Sequence, residues 1–152
     1  FPIVSQIAEA VYEMQNRKQY EYKNKLFVVE QPELHLHPNA QAELAKLFAS
    51  AVIGNEGNTI LIETHSEHFI RGLQLLMADD KSPNHISPDK VKIYYVHSTD
   101  EGSNSKGSWI EEMKIDEYGQ FVKKWPPDFF DKAYRLTGDI ITAIQRRKGV
   151  QL

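Results

Sequence analysis

Short apolar runs and helical stripes alternate along the first part of the chain. From Ile3 to about residue 19, apolar residues recur at helical spacing, which predicts an amphipathic helix. Two continuous apolar runs follow, LFVV at 26–29 and TILIE at 59–63, each rich in β-branched residues and bounded by polar ones. Runs of this kind predict strands that are buried on both faces of a parallel sheet.

A helical stripe follows each of these predicted strands. Pro38 is placed to begin one helix, because a proline in the first turn loses no hydrogen bond, and GNEG at 54–57 is expected to end that helix. Thr64 and Glu67 have the spacing of a capping box and predict the start of the next helix. A strand–helix–strand connection joins parallel strands, so both strands should end at the edge where open α/β sheets bind ligands.

The remainder of the chain predicts a smaller set of elements. A third strand is predicted at 91–96, a hairpin around DEYG at 116–119, and a last helix that begins at the proline pair 126–127. We therefore expect an α/β fold over residues 1–97 and a small α+β extension, made of a hairpin and a helix, over residues 98–152.

The composition excludes several function classes. With 152 residues, 18 Lys and Arg against 21 Asp and Glu and a net charge of -3, the chain offers no broad basic surface for nucleic acid. The absence of cysteine excludes thiol chemistry and fits a reducing compartment, so we expect a cytoplasmic protein. No apolar stretch could span a bilayer, and we expect no membrane partner. Phe1 is followed at once by a helical pattern, which indicates a piece of a longer protein.

Glu30 stands at the tip of the first apolar run. A strand holds such a carboxylate rigidly, and the carboxylate can bind Mg²⁺ through a water while Mg²⁺ bridges two phosphates of a nucleotide. Taken alone, Glu30 could equally be a polar residue that caps the following turn. The topology adds that Gln31, His65 and Ser66 should lie at the same edge of the sheet as Glu30.

Residues around both strand ends resemble a known family. PELHLHP at 32–38 and THS at 64–66 resemble the C-terminal part of an ABC-type P-loop ATPase head. They are most similar to the predicted ATPases of the AAA15/AAA21 group, which are related to the overcoming-lysogenisation-defect family. In that group one strand ends in Glu-Glu-Pro-Glu and the next ends in Thr-His-Ser. The segment YGQFVKKWPPDFFDKAYRL at 118–136 resembles a short C-terminal domain of unknown function found in one branch.

The resemblance implies a fold and a function. Residues 1–97 would be the C-terminal half of a P-loop NTPase-like ATPase domain, with a parallel sheet and crossover helices. The full-length protein would bind and hydrolyse ATP with Mg²⁺ and act as a homodimer. The Gly-rich Walker A loop is expected upstream, so this chain alone should be inactive. Members of the wider group act in phage defence and DNA transactions, which leaves a nucleic acid or an effector protein open as a partner.

The family's roles carry over to matching positions. Glu30 is implied to be the Walker B acid that positions Mg²⁺. His65 is implied to be the switch histidine that contacts the γ-phosphate, and Ser66 is its neighbour in the nucleotide contact. Glu33–His37 are implied to form the D-loop, which crosses the dimer interface in such ATPases. The residues expected at that interface are Leu34, His35 and His37.

Gln31 departs from the family pattern, in which a Glu polarises the attacking water. A Gln can orient a water through its amide but cannot accept a proton. Phosphoryl transfer depends mostly on positioning and charge, so we expect slow hydrolysis in which Glu33 or His65 helps to place the water. The alternative is a nucleotide-sensing clamp, in which ATP binding joins two subunits and hydrolysis is incidental.

Two other chemistries are less well supported by the sequence. His35 and His37 alternate, and with His65 nearby they could form a transition-metal site, but histidines in such a loop mostly make hydrogen bonds. Some related ATPases carry a Toprim nuclease, which needs an acidic Glu-Gly after a strand and a later Asp-x-Asp. The sequence after residue 96 has no Asp-x-Asp, so we expect no nuclease in this chain.

Overall fold

The computed structural model describes residues 5, 8–9, 11–12, 25–53, 57–98, 107–126 and 129–148, in two compact units, Phe1–Val122 and Lys123–Leu152. The helix predicted from Ile3 onwards and the predicted GNEG stop lie mostly outside the described residues. The described residues that fall within the predicted first helix are all helical: Ser5, Ala8, Glu9, Val11 and Tyr12. Among the described helices, none is long and apolar enough to cross a membrane.

Two strands near the start of the described chain form a parallel pair. Strand β1, Lys25–Glu30, and strand β2, Asn58–Glu63, run in register from one end to the other. Glu30 is therefore the direct partner of Glu63 at the carboxyl edge. This pairing confirms the predicted parallel arrangement and the common edge at which both strands end.

Each strand leads into a helix whose start is capped. Helix α1, Pro38–Val52, begins at the predicted proline. Helix α2, Glu67–Ala78, is capped by Ser66, whose Oγ accepts a hydrogen bond from the Phe69 N–H at 2.9 Å. The predicted capping box from Thr64 is wrong, because the Thr64 Oγ1 accepts the Ser66 N–H at 3.0 Å instead and lies before the cap.

The two helices pack against each other and supply most of the core. The Phe48 and Phe69 rings meet edge to face, with centroids 6.0 Å apart. Gly72 allows a close approach of the helix backbones, because a Cβ there would lie 2.7 Å from the Ala42 carbonyl oxygen and 2.9 Å from the Ala45 Cβ. The buried apolar residues of the pair are Leu44, Ala45, Phe48, Ala49, Ala51, Phe69, Ile70, Leu76 and Met77.

Within the described part of the chain the parallel pair is covered on one face only, so the prediction of strands buried on both faces is wrong there. Leu26, Val28 and Leu61 are 65, 61 and 57% exposed, whereas Phe27 and Ile62 are half-buried. Side chains alternate between the two faces of a strand, and α1 packs against β2. Continuous apolar runs correctly predicted the strands, but the second apolar face has no cover from the part of the chain that the structure describes.

The third predicted strand belongs to a separate antiparallel pair. Strand β3, Tyr94–His97, pairs with β4, Trp109–Glu112, and begins three residues later than predicted, after a short 3-10 turn at Pro88–Lys90. The predicted hairpin around residues 116–119 is present as a tight turn. Gly119 has φ +76 and its carbonyl accepts a hydrogen bond from the Gln74 Nε2 at 2.7 Å, which holds this turn against α2.

The second unit contains one long helix, α3, at Lys132–Lys148. Its start is later than the predicted proline pair. Trp125, Phe129 and Phe130 precede it and pack on one another, with ring centroids 4.9–5.3 Å apart. The two phenylalanines expected on the helix therefore lie in an aromatic cluster before it. The domain boundary predicted after residue 97 stays a prediction.

We expect Gly72→Ala to destabilise the protein by about 1–2 kcal/mol, because overpacking between α1 and α2 outweighs the roughly 1 kcal/mol that alanine gains in a helix. The matched control is Gly138→Ala in α3, where a Cβ meets nothing within 4 Å. That control should be neutral or stabilising by about 0.5–1 kcal/mol. Urea unfolding followed by circular dichroism measures both, and equal effects would contradict the close helix packing.

Candidate functional site

The carboxyl ends of β1 and β2 bring several predicted site residues together. Glu30 and Glu63 are register partners, and both side chains are exposed. The Gln31 N–H donates to the Glu63 carbonyl oxygen at 2.8 Å, which fixes the first residue of the loop to the neighbouring strand. The His65 Nε2 lies 3.1 Å from the Glu63 Oε1. Gln31 and His65 therefore share this edge, as the topology predicted.

The loop after β1 has a buried base and an exposed tip. Pro32 is fully buried and Glu33 is 8% exposed, whereas Leu34 is 48% exposed and His35 is also exposed. Gln31 and His35 flank the loop with φ angles of 45° and 66°. This left-handed backbone costs a residue other than glycine about 1–3 kcal/mol and persists only where the surroundings fix it.

The Glu33 carboxylate connects the two strand-end loops. Its Oε1 accepts a hydrogen bond from the main-chain N–H of His65 at 2.8 Å, across 32 positions of sequence. Its Oε2 is buried and has no hydrogen-bond partner among the described residues. An incompletely paired buried carboxylate is expensive, so stability alone does not explain why an acid occupies this position.

A third element, helix α1, joins this connection through Gln41. The Ser66 Oγ donates to the Gln41 Oε1 at 2.7 Å, and the Gln41 Nε2 donates to the Leu36 carbonyl oxygen at 2.9 Å. The Ser66 hydroxyl is therefore fully engaged, since it also caps α2. Sequence reasoning missed Gln41, because an amide in the first turn of a helix carries no motif.

An open pocket of about 280 Å³ lies where the two loops meet. It contains six of the eight predicted site residues, and it leaves out Glu30 and His37. Glu30 lies on the adjoining strand edge, and His37 caps α1 through its Nδ1, which accepts the Asn39 N–H at 3.4 Å. The residues that line the pocket are Gln31, Glu33, Leu34, His35, Gln41, His65 and Ser66.

The donor atoms at this edge suit Mg²⁺ better than a transition metal. Glu30 offers hard carboxylate oxygens on a rigid strand end, and Mg²⁺ commonly takes one or two carboxylates and completes its shell with waters and phosphate oxygens. Within the described ranges, no group of three or more His, Cys, Asp or Glu side chains could hold a metal ion. A Gly-x-x-x-x-Gly-Lys-Ser/Thr string, which would cradle phosphates, does not occur in the sequence.

Comparison with known proteins gives two family matches in series. Residues 3–70 match the AAA ATPase domain family AAA_15, and residues 86–140 match the protein family of unknown function DUF3696. No curated protein and no solved structure matches the chain. The order of the two matches confirms the resemblance drawn from the sequence, and all pocket-lining residues fall within the ATPase-domain match.

Ser66→Ala should destabilise the protein by about 1–2 kcal/mol, because α2 loses its N-cap and Gln41 loses a partner. Thr142→Ala is the matched control, since that hydroxyl bonds to the Gly138 carbonyl within the exposed α3. The control should change the free energy of unfolding by less than about 0.5 kcal/mol. Chemical denaturation of both variants checks this, and a neutral Ser66→Ala would contradict the cap network.

Proposed function

We propose that this chain, an AAA_15 ATPase-domain segment followed by a DUF3696 domain, supplies half of a Mg²⁺-dependent ATP-hydrolysing site. The supporting observation is the pocket at the carboxyl edge of β1 and β2, where Gln31 and His65 converge beside Glu30. Residues 1–97 are the ATPase part and 98–152 the extension. The complete site forms in the full-length protein, where a phosphate-binding loop completes it.

Glu30 has the position needed to hold Mg²⁺ through a water. The strand backbone fixes it beside Glu63, and its carboxylate is exposed at the edge rather than buried in the pocket. Bound there, Mg²⁺ supplies positive charge that neutralises the phosphate oxygens. Glu30 itself contributes position, because the strand pairing fixes its backbone at the carboxyl edge.

Two contacts place His65, one to its main chain and one to its exposed ring. Its main-chain N–H is bonded to Glu33, and its ring Nε2 lies 3.1 Å from a Glu63 carboxylate oxygen. With Nε2 engaged by Glu63, the ring donates a further hydrogen bond only when it is protonated, through Nδ1. Glu63 thus favours one orientation of the exposed ring.

Gln31 orients the attacking water without accepting its proton. Its positive φ angle and the bond from its main-chain N–H to the Glu63 carbonyl fix the Gln31 backbone. The Gln31 side chain lines the pocket. An amide also avoids placing another carboxylate among Glu30, Glu33 and Glu63. Hydrolysis by this arrangement is slow, since general-base catalysis typically contributes about 10²–10⁴-fold.

The second candidate function is a nucleotide-sensing clamp, and Gln31 is the residue that favours it. In a clamp, ATP binding joins two subunits through the exposed tip at Leu34 and His35, and hydrolysis is incidental. Two measurements on the full-length protein distinguish the functions: the rate of ATP hydrolysis and the extent of ATP-driven dimerisation. Dimerisation with no hydrolysis above background favours the clamp.

Gln31→Glu should raise the kcat for ATP in the full-length protein by at least about tenfold, because it restores a proton acceptor beside the water. Gln41→Glu is the matched control. Gln41 is the other amide that lines the pocket, but its side chain is already bonded to Ser66 and Leu36. The control should not raise the rate. Steady-state phosphate release measures both variants, and an unchanged or lower rate for Gln31→Glu would count against the assignment.

A further inference from the structure

The bond between Glu33 and His65 indicates a role that differs from the one expected from sequence. We infer that Glu33 is a positioning residue, which ties the exposed tip at Leu34 and His35 to the His65 main chain. This inference rests on the proposed function and names how a contact at the tip would reach the site. It also removes Glu33 from the groups that handle the attacking water.

The loop is built so that movement of the tip reaches Glu33. Two successive turns enclose the tip, through the bonds from the Leu34 N–H to the Gln31 carbonyl and from the Leu36 N–H to the Glu33 carbonyl, at 3.1 and 3.0 Å. Pro32 is fully buried and lies immediately before Glu33. A loop held in this way has little slack, so displacement of Leu34 or His35 moves the adjoining Glu33.

The receiving end of the connection is equally well fixed. His65 lies between the strand end at Glu63 and the α2 cap at Ser66, and Ser66 is bonded to Gln41 on α1. Among the described residues, the bond from the His65 N–H to Glu33 is the one through which a side chain of the first strand-end loop contacts the second loop directly. A shift of Glu33 changes where the His65 backbone lies, and the imidazole position follows.

The same geometry argues against Glu33 as the proton acceptor. One carboxylate oxygen is bonded to the His65 N–H, and the other is buried with no accessible surface to speak of. An attacking water must be within hydrogen-bond reach of its base, so a bonded Oε1 and a buried Oε2 both count against Glu33 in that role. What Glu33 provides is an acceptor oxygen held at the right reach for the His65 main-chain donor.

Two substitutions in the full-length protein separate positioning from base catalysis. Glu33→Gln keeps an acceptor oxygen at the same reach, so the kcat for ATP and the hydrogen-exchange protection of the His65 N–H should stay within about threefold of wild type. Glu33→Asp keeps the acid but shortens the reach, so it should lower kcat by about 10–100-fold and remove that protection. A base would show the reverse order, with Glu33→Gln the slower enzyme, and that order would overturn the inference.

Two further observations complete the test. Glu43→Gln and Glu43→Asp alter an exposed acid that is paired with Lys46 on α1, and they should change neither readout. A merely structural role for Glu33 would lower the melting temperature of both Glu33 variants while leaving kcat per folded molecule unchanged, which would also overturn the inference. Wild type that hydrolyses no ATP overturns the proposed function, whereas active wild type with an equally active Glu33→Asp overturns this inference alone.

Discussion

The in-register parallel pairing of β1 and β2 is the constraint on which the candidate site depends. Because Glu30 and Glu63 are direct partners, both following loops start at the same height on one edge. The contacts between the two loops depend on this common starting point. Gln31 bonds to the Glu63 carbonyl, and Glu33 reaches His65, only because neither strand extends past the other.

Helix packing converts this edge into a fixed pocket. The close approach at Gly72 brings α1 and α2 together, and their first turns then share the bond between Gln41 and Ser66. Gln31 and His35 have positive φ angles in this loop, and such backbone persists only where its surroundings fix it. The core therefore stabilises a loop conformation that an isolated peptide would not adopt, and strain of this kind is concentrated at functional sites.

The sequence was sufficient to predict the main strands and helices and the edge that the two parallel strands share. It was not sufficient where tertiary contacts decide between two locally plausible structures. Apolar runs predicted both strands, but they did not show that Leu26 and Val28 lie on an exposed face. Thr64 and Ser66 are both good caps, and Ser66, which forms the cap, also makes a long-range bond to Gln41 that the sequence does not reveal. The site residues near the two motifs were predictable from the resemblance. The burial of Glu33 and the bonds of Gln41 depend on three-dimensional contacts that no local pattern shows.

The most direct measurement of the central claim is Mg²⁺-dependent ATP hydrolysis by the full-length protein with Glu30→Gln. The matched control is Glu117→Gln, which changes an exposed acid in the turn before Gly119. If the edge of β1 and β2 is half of an ATP site, Glu30→Gln reduces the Mg²⁺-dependent rate by about 100-fold or more, while the control stays at the wild-type rate. Equal rates for wild type and Glu30→Gln would contradict the account.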